Sequence, residues 1–357
     1  MLTLIIKENI VAKIISFFNH KGGVGKTTLA YNVAWSLAEK GKKVLMLDGD
    51  AQANLTEIAV DNEFLDDYNQ MNLFANYDSE FFLKNNVYEY FVQYIEPTFG
   101  QEIREIELFQ KSDNLKLLAG SLRFAELEES VGLSMAGISA LSHIPTSVYQ
   151  ALQKLGEGQD YIIVDLSPAL SAVNQLFVML SDYFIVPVNP SIFSRQALRN
   201  LNQIFRGWNR NVSDFEIFAR KTKQLPKMLG IVCQNYRPFS RKNEQNTKSA
   251  KRFEQILDEL NDFTIELADD LNGFGMAVTP KEFKEIFEKR DPYRIANIPD
   301  YNQLAMVSEK EQLPVQAITS TILTEHGLNT DYYRDKVSGF KEECDNIVGG
   351  LLNLVDK

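Results

Sequence analysis

The stretch Lys21-Gly22-Gly23-Val24-Gly25-Lys26-Thr27-Thr28 decides how this sequence is read. It follows an apolar run at residues 12–18 and opens a run of helix formers at residues 26–40, so a strand feeds a glycine-rich loop that starts a helix. In that context the backbone of Gly22, Gly23, Val24 and Gly25 can turn its N–H groups onto phosphate oxygens. The helix N-terminus adds its partial positive charge. Lys26 is placed for β- and γ-phosphates, the Thr27 hydroxyl for Mg²⁺, and the Thr28 hydroxyl for an α-phosphate, so the expected ligand is Mg²⁺-ATP. The general pattern GxxxxGK[ST] has glycine in its first slot. Here that slot holds His20, and a second lysine, Lys21, precedes the glycine pair.

Outward from the loop, strand-like runs alternate with helical ones. Strands are expected at residues 12–18, 43–47, 115–118, 161–166, 183–188, 229–233 and 294–298, several of them continuously apolar as in strands buried on both faces. Helices are expected at 26–40, 145–155, 172–180, 194–207 and 246–260, with Gly41 closing the first and Pro145 opening the second. The fold class is therefore α/β, a mostly parallel twisted sheet flanked by helices. Residues 59–107 and 235–291 exceed ordinary connections and are expected to be two helical insertions in a single domain spanning 1–357. A C-terminal helix is expected at 331–357. Its stripe of Tyr333, Val337, Phe340, Cys344, Ile347, Val348, Leu351 and Val355 lies among acids, which suits packing on a core better than a cationic membrane helix.

Two acidic motifs share the strand-end position where open α/β sheets bind ligands. Asp48-Gly49-Asp50-Ala51-Gln52 follows the second strand, and its two carboxylates can serve a Mg²⁺-bound water and an attacking water. Asp165, near the end of the strand Tyr161–Leu166, can hold a Mg²⁺-bound water or the Thr27 hydroxyl, and the metal candidates are Thr27, Asp48 and Asp165.

Taken together these motifs resemble the ParA/MinD ATPases, most closely ParA. Residues 21–28 match the deviant Walker A box. Asp48 to Gln52 is similar to the family's Asp-x-Asp-Pro-Gln switch, with Ala51 in place of proline, and residues 161–168 resemble its Walker B region. Ile298-Pro299 resembles the family's Ile-Pro loop on the nucleotide side. The resemblance covers most of residues 12–320 outside the insertions. It implies a P-loop ATPase whose two copies close around ATP, with Lys21 of each reaching the other's phosphates and Asp50 orienting the hydrolytic water. It further implies a stimulating adaptor, ParB-like or other, and places adenine contacts after the later strands, at Asn235 and Pro299.

Composition bounds the partners. The chain has 357 residues, net charge −11, and two cysteines, Cys233 and Cys344, which make no disulfide framework and fit a reducing cytoplasm. No signal peptide or membrane-length run is visible, so a cytoplasmic protein with no membrane partner is expected. The chain starts almost at the first strand, so an N-terminal helix-turn-helix is not expected. Between Arg220 and Arg252 lie ten basic residues and one acid, Glu244, a segment that can contact DNA non-specifically. Against direct transfer of the family's DNA role, Pro299 is followed by Asp300, Tyr301, Asn302 and Gln303, none basic. The leading expectation is an ATPase that partitions or positions DNA or protein cargo. The alternative is an ATP-gated switch acting on a protein partner, in a regulatory or defence system, without coating DNA. A ligase of the same superfamily would need a small-substrate pocket, for which no motif is readable.

Overall fold

Eight strands form one sheet in the order β3-β4-β2-β5-β1-β6-β7-β8. They are β1 (Lys13–Phe17), β2 (Val44–Gly49), β3 (Phe109–Ser112), β4 (Leu115–Leu118), β5 (Tyr161–Leu166), β6 (Tyr183–Val188), β7 (Lys227–Tyr236) and β8 (Arg294–Pro299). This computed structural model describes residues 12–61, 80–98, 100, 102–191, 194–213, 225–236, 248–288, 290–301 and 303–355. Every strand pair is parallel except β3–β4. Every residue of β2 and of β5 is buried, which is what their unbroken apolar runs require when helices cover both faces.

The antiparallel strand β3 is absent from the seven strands expected from sequence. Its residues Phe109-Gln110-Lys111-Ser112 carry one apolar side chain, because β3 is a sheet edge that buries only Phe109. A two-residue connection, Asp113-Asn114, folds it back onto β4.

The helices are α1 (Lys26–Glu39), α2 (Asn54–Ala59), α3 (Glu80–Lys84), α4 (Val87–Ile95), α5 (Leu127–Met135), α6 (Ile144–Leu155), α7 (Ala172–Leu180) and α8 (Ser194–Ser213). They continue as α9 (Lys248–Asn272), α10 (Pro280–Ile286), α11 (Gln303–Lys310), α12 (Ser320–Glu325) and α13 (Thr330–Val355). Helix α1 stops as its sequence demands. Gly41 has φ +79°, and the N–H groups of Gly41 and Lys42 close onto the carbonyls of Ala38 and Leu37 at 2.9 and 3.1 Å.

Helix α8 runs past Gly207, where a stop at 207 is expected from the local preference of glycine. Trp208 reverses that preference by packing on Phe18 and Phe205, with ring centroids 5.3 and 5.2 Å apart. Helix α9 extends twelve residues beyond its expected end because Leu260, Leu267, Ala268 and Leu271 continue a buried face. Of the two expected insertions, the first contributes α3 and α4, and the second contributes α9 and α10; residues 62–79 and 237–247 lie outside the described residues. Helix α13 buries Phe340, Cys344, Ile347, Val348 and Leu351. It also accepts a hydrogen bond from the Tyr161 hydroxyl on the Leu351 carbonyl, 3.0 Å. Among the described residues no helix is long and apolar enough to cross a membrane.

Candidate functional site

The strand register brings the expected residues to one sheet edge. Phe17 of β1 and Asp48 of β2 both pair with Asp165 of β5, so the carboxyl ends of these three strands are level. The glycine-rich loop leaves β1 at this edge. Gly23 and Gly25 have φ +68° and +74°, a backbone that side-chained residues rarely adopt, and Gly25 is the N-cap of α1. Two asparagines brace the loop. Asn19 donates to the Pro187 carbonyl at 2.7 Å and accepts from the Lys21 N–H at 3.0 Å, and Asn189 donates to the Gly23 carbonyl at 3.2 Å.

Val24 is buried beneath the loop, Gly22 and Gly23 are exposed, and Lys21, Thr27 and Thr28 are half-buried. Lys26 is only 7% exposed. Burial pulls its ammonium below the usual lysine range, opposed by the negative charges of Asp165 and Asp50. Thus one cation and two carboxylates share a poorly solvated space. His20, in the slot of the missing glycine, has its pKa lowered by burial and by Lys26, and its Nδ1 is buried without a hydrogen-bond partner.

The carboxylates differ in how they are satisfied. Asp165 is fully buried, and no group except the neighbouring Thr27 hydroxyl is placed to hydrogen-bond its oxygens. Burial and the neighbouring Asp48 push it up to about 8, while the Thr27 hydroxyl and Lys26 pull the other way. Asp48 is pushed up to about 7 by burial, although Thr56 stabilises its charged form. Both Asp48 oxygens are occupied. One accepts the Thr56 N–H and hydroxyl at 2.8 and 2.7 Å, and the other accepts the Asp50 N–H at 3.3 Å. Asp50 accepts the Gln52 N–H at 2.9 Å and is 6% exposed.

This donor set fits Mg²⁺. A buried carboxylate with open lone pairs beside a threonine hydroxyl gives the few oxygen ligands that this cation takes from a protein, its remaining positions being water and phosphate. Two acids in register on adjacent buried strands also repel each other until a cation arrives. Among the three metal candidates, Asp165 and Thr27 have this character. Asp48 is committed to the chain's own N–H and O–H groups.

The later strands reach the same edge less tightly. Asn235 is exposed at the end of β7 with φ +54°, and its amide donates to Asn189 at 3.3 Å. Pro299 ends β8, paired with Tyr236 and half-buried. Neither Gln234 nor Tyr301 is expected at the site from the sequence. Gln234 is buried against Gly25, and its Nε2 has no partner. The Tyr301 hydroxyl has Thr28 as a hydrogen-bonding neighbour, and its ring packs edge-on against Phe340. The rule that found Asp48 and Asp165, polar residues at the carboxyl ends of buried strands, would have found Asn189 and Gln234 as well.

The basic cluster between Arg220 and Arg252 is mostly beyond view. Lys227 ion-pairs with Glu282 at 2.9 Å; Lys248, Lys251 and Arg252 are described only as part of α9, and the other six lie outside the described residues.

A glycine loop leading into a helix beside strand-end acids defines a P-loop nucleotide-binding protein. A family model described as an AAA domain matches residues 12–215. Protein MJECL24 of Methanocaldococcus jannaschii is 29% identical over 243 residues, 68% of this chain and 78% of that one. The virulence plasmid ParA family protein pGP5-D of Chlamydia psittaci is 29% identical over 195 residues, 54% of this chain and 62% of its own length. The fold is that of a plasmid partition protein of Borrelia burgdorferi crystallised with AMPPNP. That match has TM-score 0.55 and 20% identity, covering 96% of this chain and 99% of the other. The chain belongs to the ParA/MinD family of P-loop ATPases.

Proposed function

We propose that this chain hydrolyses ATP and uses Mg²⁺-ATP to bring two copies together, positioning or partitioning a cargo. The observation that carries the reading is Lys26, buried beside Asp165 and Asp50 next to a left-handed glycine loop, with the Asp165 oxygens open to all but the Thr27 hydroxyl. A bound triphosphate would add anionic oxygens for Lys26 to contact. Thr27 and Asp165 would hold Mg²⁺, which screens phosphate charge when bound. Asp50 would accept a proton from, and orient, the attacking water. Lys21, half-buried at the loop's entrance, would reach the phosphates held by a second copy and add positive charge as an arginine finger does elsewhere. Asn235 and Pro299 would face the base. We also propose that residues 59–107 and 235–291 are insertions in one domain, offering docking surface for a stimulating adaptor, and that the protein works in the cytoplasm.

DNA is the favoured cargo, since the Chlamydia relative is named for a virulence plasmid and the Borrelia protein for plasmid partition. The alternative, a switch on a protein partner that does not coat DNA, is favoured by one local observation. Directly after Pro299, Tyr301 is buried, and the Asp300 carbonyl accepts a hydrogen bond from Lys336 at 2.7 Å. DNA binding by the purified protein with ADP, with ATP, and as Asp50→Ala with ATP, over a salt series, separates the two. Salt-sensitive binding confined to the ATP states supports DNA cargo. ATP-dependent dimers that ignore DNA at every salt concentration support the protein-partnered switch.

A further inference from the structure

The Asp50 loop is fastened by a set of hydrogen bonds within the chain. Asp48 and Thr56 are fully buried, and the Thr56 side chain does two jobs with one hydroxyl. It donates to Asp48 at 2.7 Å and accepts the Gly120 N–H, also at 2.7 Å. The Thr56 N–H adds a second bond to the same Asp48 oxygen, 2.8 Å. The other Asp48 oxygen takes the Asp50 N–H. Within the loop the Ala53 N–H closes on the Asp50 carbonyl at 2.8 Å, with Ala53 in the left-handed region at φ +54°.

Gly120 completes this arrangement by having no side chain. A Cβ there would sit 2.7 Å from the Ala53 Cβ and 2.8 Å from the bonded Asp48 oxygen. The segment is anchored in turn to the inserted helix α4, whose Val87 N–H donates to the Ala119 carbonyl at 2.8 Å. The loop bearing Asp50 is thus fastened across three elements: the end of β2, the first turns of α2, and the chain leaving β4.

We propose that Thr56 is a positioning residue for hydrolysis: its hydroxyl, seated on Gly120, fixes Asp48 and through it the Asp50 carboxylate. This rests on Asp50 being the water-orienting acid of an ATPase. A threonine that only held the fold together would weaken nucleotide binding and turnover alike. A positioning threonine affects turnover alone, because Asp50 matters only once a water must be aimed.

The test measures affinity for a non-hydrolysable ATP analogue and steady-state ATP turnover for the parent, Thr56→Val, Thr56→Ser and Gly120→Ala. The expected result is analogue affinity within about threefold of the parent throughout, with turnover lowered about tenfold or more in Thr56→Val and Gly120→Ala. Thr56→Ser, which keeps the hydroxyl, returns to within about twofold. Parental turnover in Thr56→Val overturns the proposal. So does a loss of analogue binding that matches the loss of turnover, which would mark a structural role. Gly120→Ala keeps the decision open if Thr56→Val does not fold, since parental turnover in it also overturns the proposal. A parent that binds the analogue yet turns over no ATP instead fails the ATPase reading itself, and the proposal with it.

Discussion

The edge formed by β1, β2 and β5 and the edge formed by β6, β7 and β8 both face the proposed nucleotide, yet they are built differently. In the first, the acidic loop after β2 is fixed mainly by bonds among neighbours in sequence, with the Gly120 N–H on the Thr56 hydroxyl as its distant anchor. Gln52 binds back to Asp50, Asp50 to Asp48, and Thr56 to Asp48. In the second, positions are set by distant parts of the chain. Asn235 leans on Asn189, Tyr301 on Thr28 and Phe340, and the Asn297 N–H on Glu343 of α13 at 3.0 Å. A site can therefore keep a rigid catalytic half while its other half follows whatever packs behind the sheet.

The contrast is broken most forcefully at Lys26. Lys26→Ala is expected to weaken ATP binding about 100-fold or more in a direct titration, since it removes a charge-assisted contact from a poorly solvated site. An equal loss from Asn235→Ala would mean that the two edges share the work. Asp50→Ala should bind ATP like the parent and lose about 100-fold in turnover, measured as phosphate release. Normal hydrolysis by that variant would move the water-orienting role elsewhere.

Stability sharpens the same comparison away from the site. Trp208→Ala should cost about 3 kcal/mol in denaturant unfolding, because Trp208 fills the space between Phe18 and Phe205. Nucleotide affinity should change little, as the loop is braced by Asn19 and Asn189 instead. The smallest effect lies at α10, where Thr279 and Glu282 form a reciprocal cap. Thr279→Ala should cost about 1 kcal/mol. The Thr279 N–H and Lys227 hold Glu282 down to about 2. Its contribution is therefore present above pH 4.5 and fades as pH falls toward 2 in the parent and in Thr279→Ala alike, since both keep the N–H at position 279. The difference between them, which comes from the uncharged hydroxyl bond to the Glu282 N–H, should persist in acid melts.

Legibility in the sequence follows this division. The loop, Asp48 and Asp50 were readable because a strand, a turn and a helix N-terminus lie within thirty residues, and Asp165 because it stands near the end of an unbroken apolar strand. The helix Ala172–Leu180 and the strands 115–118, 161–166 and 183–188 were readable from their apolar runs. Strand β3 was not, since an edge strand needs few apolar residues. The full length of α8 was not, since Gly207 argues locally for an end and only Trp208 packing on Phe18 argues against it. Gln234 and Tyr301 were hidden for the same reason: each meets the loop across more than 200 residues of chain. The commitment of Asp48 to Thr56 was also out of reach, because two acids in a row of turn residues look alike until their partners are seen.

If ATP turnover needs two copies of this chain, turnover per protomer measured across a protein concentration series at saturating Mg²⁺-ATP will show it. Turnover per protomer is expected to rise with concentration to a plateau, with Lys21→Ala low throughout. A rate per protomer that is the same at every concentration, with Lys21→Ala equal to the parent, would contradict it.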